Sequence, residues 1–380
     1  MQDGANTQLP EPGEIRARVT RELARIGLTP ASAARVLLCF AVAIAGALVF
    51  LRYNLPLPWF LGPLTFCLVA SAAGLPIERP AFLSIPMRAV LGIAVGTAFT
   101  PALFGQIGPM LWSLVLLVPF MLAIMATGTW FFERYAGCDR PTAFFCAVPG
   151  GLTDMVSMAV DAGANPRTVT LIQATRIVLL VFLVPIWLQL VSDHKIAGLV
   201  PQGVRLSQFL LVDAVVLVAI GVYGFRLARW IRLAGAPLIG PMILSGIAHA
   251  SGFTAAKIPV EVLIAAQVAV GAMLGAQFRG LTFEEFRSTM TWGMAFAVVL
   301  VVVSAIVTLI VSRLTGFDST TVLLAYAPGG QSELNLVAYL LGLDAAFTAL
   351  HHLVRLAIVI FGAQIVFAAN KTWRRDNGEL

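Results

Sequence analysis

The chain has 380 residues, 59% of them hydrophobic and 12% charged, with a formal net charge of +6. A soluble domain carries roughly 25% charged residues, so composition excludes an ordinary water-soluble fold and points to an all-α, polytopic integral membrane protein. The basic excess lies in short loops and tails between apolar runs, where the positive-inside rule places it, so no direct nucleic-acid binding is expected.

Residues 1–32 read as a basic tail. Within it Ile15, Val19, Leu23 and Ile26 share one helical face and Arg16, Arg18, Arg21 and Arg25 lie toward the other, the pattern of a helix resting on the membrane surface. Apolar segments follow at about 33–51, 59–74, 86–104, 111–132, 141–160 and 168–191, forming a first membrane unit over 33–205. A second unit over 206–370 carries segments at about 207–225, 237–252, 260–278, 290–312, 319–340 and 346–369. Residues 371–380 form a basic tail expected in the cytoplasm. Cys39, Cys67, Cys138 and Cys146 show no CxxC spacing, so neither a disulfide framework nor a metal knuckle is indicated.

The two units are copies. Val-Pro-Gly-Gly-Leu-Thr-Asp-Met at 148–155 returns as Ala-Pro-Gly-Gly-Gln-Ser-Glu-Leu at 327–334, a spacing of 179 residues that also relates Asp139 to Asp318, Gly163 to Gly342 and Arg176 to Arg355. Upstream, Gly62-Pro63 answers to Gly240-Pro241, and the Gly92/Gly96 pair to Gly271/Gly275. Those GxxxG pairs read as close helix-packing faces. Six full crossings per half would make the repeats parallel. An odd number, with one segment re-entrant or too short to span, makes them inverted, and this second arrangement puts Arg226, Arg229 and Arg232 in the cytoplasm as the positive-inside rule prefers.

Pro149-Gly150-Gly151 and Pro328-Gly329-Gly330 should interrupt their helices, because proline lacks a backbone donor and glycine tolerates non-helical dihedrals. Freed peptide groups inside a bilayer need protein or a cavity around them, and matched breaks in two repeats mark the midplane site of a transporter. The simpler alternative is a turn, with Thr153 and Asp154, or Ser332 and Glu333, capping the next helix. Arg176 and Arg355 lie deep in apolar runs, where an unpaired charge costs at least ~2.5 kcal/mol. Asp154 and Glu333 are the expected partners, either lining a solute site or locking the halves together. Gln173, Thr175, His351, His352 and Gln364 add polar side chains to the arginine-bearing segments. His351 and His352 are adjacent and point about 100° apart on a helix, which does not suit one shared metal.

With these features in place, the chain resembles the AbrB-type membrane protein family of Gram-negative bacteria over about residues 33–370. The resemblance is carried most specifically by Pro149–Met155 with Gly163 and Arg176, and by Pro328–Leu334 with Gly342 and Arg355. It implies a duplicated fold in the bacterial inner membrane. Members carry labels of a regulator or of an ammonia monooxygenase, so three functions follow as expectations: a carrier of a small solute or ion, a membrane-bound regulator of gene expression acting through a partner, and an oxygenase. The residues favour the carrier and no enzymatic activity or cofactor. Its expected partners are the bilayer, a small solute or ion, and a further copy of the chain. Gln331 departs from the first copy, where Leu152 stands.

Overall fold

The computed structural model describes residues 29–99, 107–191, 204–231, 233, 235–279 and 283–369, with backbone alone at 107, 152–154, 188–191, 283–286, 288–289, 331–332 and 363–369. The terminal tails and the surface helix expected near residues 15–26 lie outside them. All regular structure described is helical. The first half comprises α1 (Pro30–Arg52), α2 (Pro58–Ala72), α3 (Ser84–Gly96), α4 (Ile107–Arg134), α5 (Arg140–Ala147), α6 (Leu152–Asp161) and α7 (Pro166–Val191). The second comprises α8 (Leu211–Trp230), α9 (Ala236–Ala250), α10 (Val260–Gly275), α11 (Phe283–Thr315), α12 (Ser319–Tyr326), α13 (Gln331–Leu340) and α14 (Ala345–Ala369). Each helix in the first list has a counterpart seven places later.

Among the described residues, seven helices are long and apolar enough to cross a bilayer, so the protein is a multi-pass membrane protein by length and composition. Their outward faces agree: Leu48, Val215, Val218, Val298, Ile306 and Leu309 are exposed, and contiguous apolar surface of this kind belongs in lipid. Several boundaries differ from the sequence expectation, among them the helix expected at 86–104, which spans Ser84–Gly96. The helix expected at 290–312 runs from Phe283 to Thr315, carrying Arg287 within its first turns. The helix expected at 207–225 starts at Leu211 and continues to Trp230, so Arg226 and Arg229 occupy its final turns.

Glycine sets the closest helix contacts. A Cβ on Gly46 of α1 would lie 2.3 Å from the Gly62 carbonyl oxygen of α2, and one on Gly240 of α9 would lie 2.2 Å from that of Gly224 on α8. The halves then exchange partners. Gly92 of α3 lies against the Leu238 carbonyl of α9, and Gly271 of α10 against the Phe60 carbonyl of α2. One turn on, Gly96 meets Ser245 and Gly275 meets Cys67. Ser245 Oγ donates to the Ile93 carbonyl at 3.0 Å and Ser71 Oγ to the Gly275 carbonyl at 3.2 Å, adding one cross-half hydrogen bond per seam. The expected GxxxG packing is therefore realised between the halves rather than within them, and the largest apolar core cluster draws residues from both.

Polar contacts tie helix ends together on two separate rims. On one, Glu78 takes a hydrogen bond from Ser32 Oγ near the start of α1, and lies 4.0 Å from Arg35 and 3.6 Å from Arg279 beyond the end of α10. On the other, Leu206 N–H, just before α8, donates to Glu261 Oε2 at 2.9 Å, and Val260 N–H donates to the Val204 carbonyl at 3.0 Å. Thus α10 begins beside the approach to α8 and ends beside the start of α1.

Candidate functional site

Short helices build the centre. Asp139 caps α5 by accepting from Thr142 N–H at 3.4 Å, and Asp318 caps α12 by accepting from Thr321 N–H at 2.9 Å. Each helix stops after eight residues where the Val/Ala-Pro-Gly-Gly run begins, having risen only about 12 Å. The chain resumes as α6 or α13 and folds back. Asn165, beyond α6, donates its backbone N–H to Thr142 Oγ1 at the start of α5, at 2.9 Å. Phe317, before α12, packs on Phe347 in the first turns of α14 with ring centroids 4.5 Å apart. Both pairs of half-length helices are hairpins whose open ends are closed by these contacts.

A helix that stops leaves its last carbonyls without N–H partners. In the first half Gln173 Nε2 donates to the Phe145 carbonyl at 2.7 Å, and Arg176 Nη1 to the Val148 carbonyl at 3.1 Å. In the second, His352 Nε2 meets the Leu324 carbonyl at 3.1 Å, and Arg355 Nη1 donates to the Ala327 carbonyl at 2.5 Å. These four contacts correspond at the 179-residue spacing. The guanidinium charge also faces the negative end of the half-helix dipole, which favours a cation there.

Each hairpin tip rests on the arginine-bearing helix of the other half. A Cβ on Gly150 would come within 2.9 Å of Val359 on α14, and one on Gly329 within 2.6 Å of Leu180 on α7, the residue matching Val359. That Gly329 position is also 3.8 Å from Arg176 Nε. Both tips and both arginines therefore share one centre, closed to solvent, with Arg176 1% and Arg355 3% exposed.

Of the residues singled out from sequence, Pro149, Gly150 and Gly151 form the first tip, Pro328, Gly329 and Gly330 the second, and Arg176 and Arg355 clasp them. Glu333 is buried in the first turn of α13, its Oε2 3.3 Å from the Cβ position of Gly330. The side chains of Thr153, Asp154 and Ser332 lie outside the described residues. The described hydrogen bonds of both guanidinium groups go to backbone carbonyls, and for Arg176 also to Gln173 Oε1 at 3.3 Å. Neither arginine has an ion pair among the described contacts; the expected partner Asp154 has its side chain outside the described residues, and the described contacts run to carbonyls one helix end away.

The copies are not identical. Gly151 enters α6 in extended conformation, with φ −66° and ψ 130°, whereas Gly330 enters α13 left-handed, with φ 57° and ψ 51°. Glycine alone adopts the latter at little cost. The second hairpin also has a polar brace that sequence reasoning passed over. Tyr326 Oη donates to the Ser113 carbonyl of α4, and Ser113 Oγ lies 2.8 Å from His351 Nε2. His351 Nδ1 is 2.8 Å from the Phe347 carbonyl, which only accepts, so Nδ1 carries the proton and Ser113 donates to Nε2. Ala147 and Ile172 hold the matching places in the first half; the departure from the repeat was the available signal. His351 and His352 indeed serve different partners.

Comparison with known proteins places this architecture. The profile of a family described as "Transition state regulatory protein AbrB" matches residues 59–370. The chain belongs to the AbrB family. Among its relatives is "Uncharacterized protein YhjN" of Bacillus subtilis (strain 168), 25% identical over 349 residues, covering 84% of this chain and 89% of the relative. Another is "Putative regulator AbrB" of Escherichia coli (strain K12), 23% identical over 297 residues, covering 76% and 83%. The AbrB match spans both hairpins and both arginines.

Proposed function

We propose that this AbrB-family chain is a carrier of a small solute or ion in the bacterial inner membrane, built from two inverted halves with its site where the hairpin tips meet. The observation carrying this reading is the meeting of two half-length hairpins, one per half, with a buried cation beside each tip. Half-helices that end mid-depth aim their dipoles and end peptide groups at one place, as carriers with inverted repeats do. A purely structural protein gains nothing from interrupting helices in the bilayer, where each freed group needs a dedicated partner.

Inversion is supported by the two rims. With α10 running from the rim at Glu261 to the rim at Glu78, α1 starts at the rim where α10 ends, and its counterpart α8 starts at the opposite one. Hairpins that return to the side they entered leave five crossings per half, an odd number. Tyr53 and Ile231 occupy matching positions just past α1 and α8, and both are exposed. In a background with Cys138→Ser, a membrane-impermeant maleimide should label Tyr53→Cys in intact spheroplasts, and Ile231→Cys only after permeabilisation. Labelling of both from one side would mean parallel halves.

The carrier site is tested by thermal unfolding of the purified protein against a panel of small organic acids, amines and inorganic ions. At least one should raise the Tm of the wild type, and by less in the Asp154→Asn/Glu333→Gln double variant. Equal shifts in both proteins, or none in either, would count against these carboxylates as site residues. The regulator reading draws on the name the family carries; it requires a cytoplasmic partner, and copurification of such a partner with no solute response would favour it.

A further inference from the structure

Asn335 lies on α13 five residues beyond Gly330, about 7 Å along the helix from the break. Its side chain is fully buried, and neither Nδ2 nor Oδ1 has a hydrogen-bond partner. Among the described side chains it alone has two buried polar atoms in this state. Native proteins hold few such groups, because a buried donor or acceptor without a partner destabilises the fold, and each calls for a reason. The hairpin itself supplies none: the matching residue of the first half is Val156, so an apolar side chain satisfies the same helix in the same fold.

A second orphan lies beside the tip from which α13 starts. Arg176 Nε, beside the Cβ position of Gly329, is buried without an acceptor although the rest of its guanidinium is engaged. Helices α7 and α13, which carry the two residues, touch. Together they offer a cationic N–H donor and an amide that both donates and accepts. The complement of the first is an anionic oxygen, and the complement of the second is a group that accepts and donates at once, or donates to Oδ1.

We propose that Asn335 is a ligand-binding residue of the carrier site and that, with Arg176 Nε, it selects a small carboxylic acid bearing a hydroxyl or amino group. The carboxylate oxygen accepts from Arg176 Nε–H, and the ligand O–H or N–H donates to Asn335 Oδ1. This rests on the carrier reading above and adds to it the residue and the ligand class.

The test compares full-length wild type, Asn335→Leu and Asn335→Val in detergent by thermal unfolding, without additive and with lactate, alanine or propionate. Propionate lacks the hydrogen-bond donor that lactate and alanine carry. Without additive, at least one variant should melt higher than the wild type, by about 2 °C or more, because an unpaired amide has been removed. Lactate or alanine should raise the wild-type Tm beyond the effect of propionate, and that difference should vanish in the variants. If both variants melt at or below the wild type, or if the three acids act alike on the wild type, the role of Asn335 is overturned. The carrier reading would still stand if another solute shifts the wild type but not the carboxylate double variant.

Discussion

Arg176→Met should abolish the ligand-induced rise in Tm while leaving the resting Tm close to that of the wild type. The two halves of this expectation have separate causes. Burying a guanidinium in the middle of a membrane protein is unfavourable by several kcal/mol before its contacts are counted, and its described partners here are neutral carbonyl and amide oxygens. The Val148 carbonyl keeps a second donor, the Gly150 N–H at 3.0 Å, so methionine does not strand it. Desolvation relieved and hydrogen bonds lost therefore nearly offset, and an unbranched apolar chain fills the space. Binding has no such compensation, because one of the two charges at the tips is gone and only Arg355 remains. If the arginines served only to lock the halves, the outcome would be the reverse: resting Tm would fall by the equivalent of ~1.5–3 kcal/mol, the usual worth of a hydrogen bond to a charged group, and any solute shift would persist. Arg355→Met is expected to behave alike.

Gly92→Ala should prevent accumulation of a stable, monodisperse protein, with an expected cost above ~3 kcal/mol. The new methyl would lie 2.2 Å from the Leu238 carbonyl oxygen, an atom of helix backbone that cannot rotate away. The helices would have to part, opening the contact one turn on at Gly96 and weakening the bond between Ser245 and the Ile93 carbonyl. Gly271→Ala meets the same obstacle at the Phe60 carbonyl, at 2.5 Å. Gly362→Ala, in an equally apolar helix but with open space around it, should be neutral. Size-exclusion profiles of the three solubilised variants would check this, and a normal profile for Gly92→Ala would contradict the seam described.

Much of this was legible in the sequence. Apolar runs of bilayer length gave the membrane class, and one Pro-Gly-Gly run per half marked where α5 and α12 stop. What period and spacing cannot encode is which groups satisfy a broken helix. The sequence offers Arg176 only side-chain partners because it displays side chains and hides carbonyls; the described contact with Val148 is to a released oxygen that has no spelling of its own. Gln173 and His352 are chemically unlike, and their shared role appears only when both are seen facing the same position of a half-helix. Ser113 and Tyr326, 213 residues apart in the chain, carry no mark of their contact beyond the failure of Tyr326 to match Ala147. Asn335 opposite Val156 was visible as a mismatch, but its lack of partners was not.

The exchange of helix partners across the seams bears on how the molecule comes into being. While the ribosome is still short of α9 and α10, the faces of α3 and α2 that pack across the seams have nothing to nest against, so the N-terminal portion must wait in the bilayer with those faces unfilled. Synthesised alone, that portion would leave the Gly92/Gly96 face of α3 and the Phe60–Cys67 face of α2 without the partners they have in the full chain. Cutting the connection between α7 and α8 and expressing the two pieces together should therefore restore contacts that neither piece can make alone.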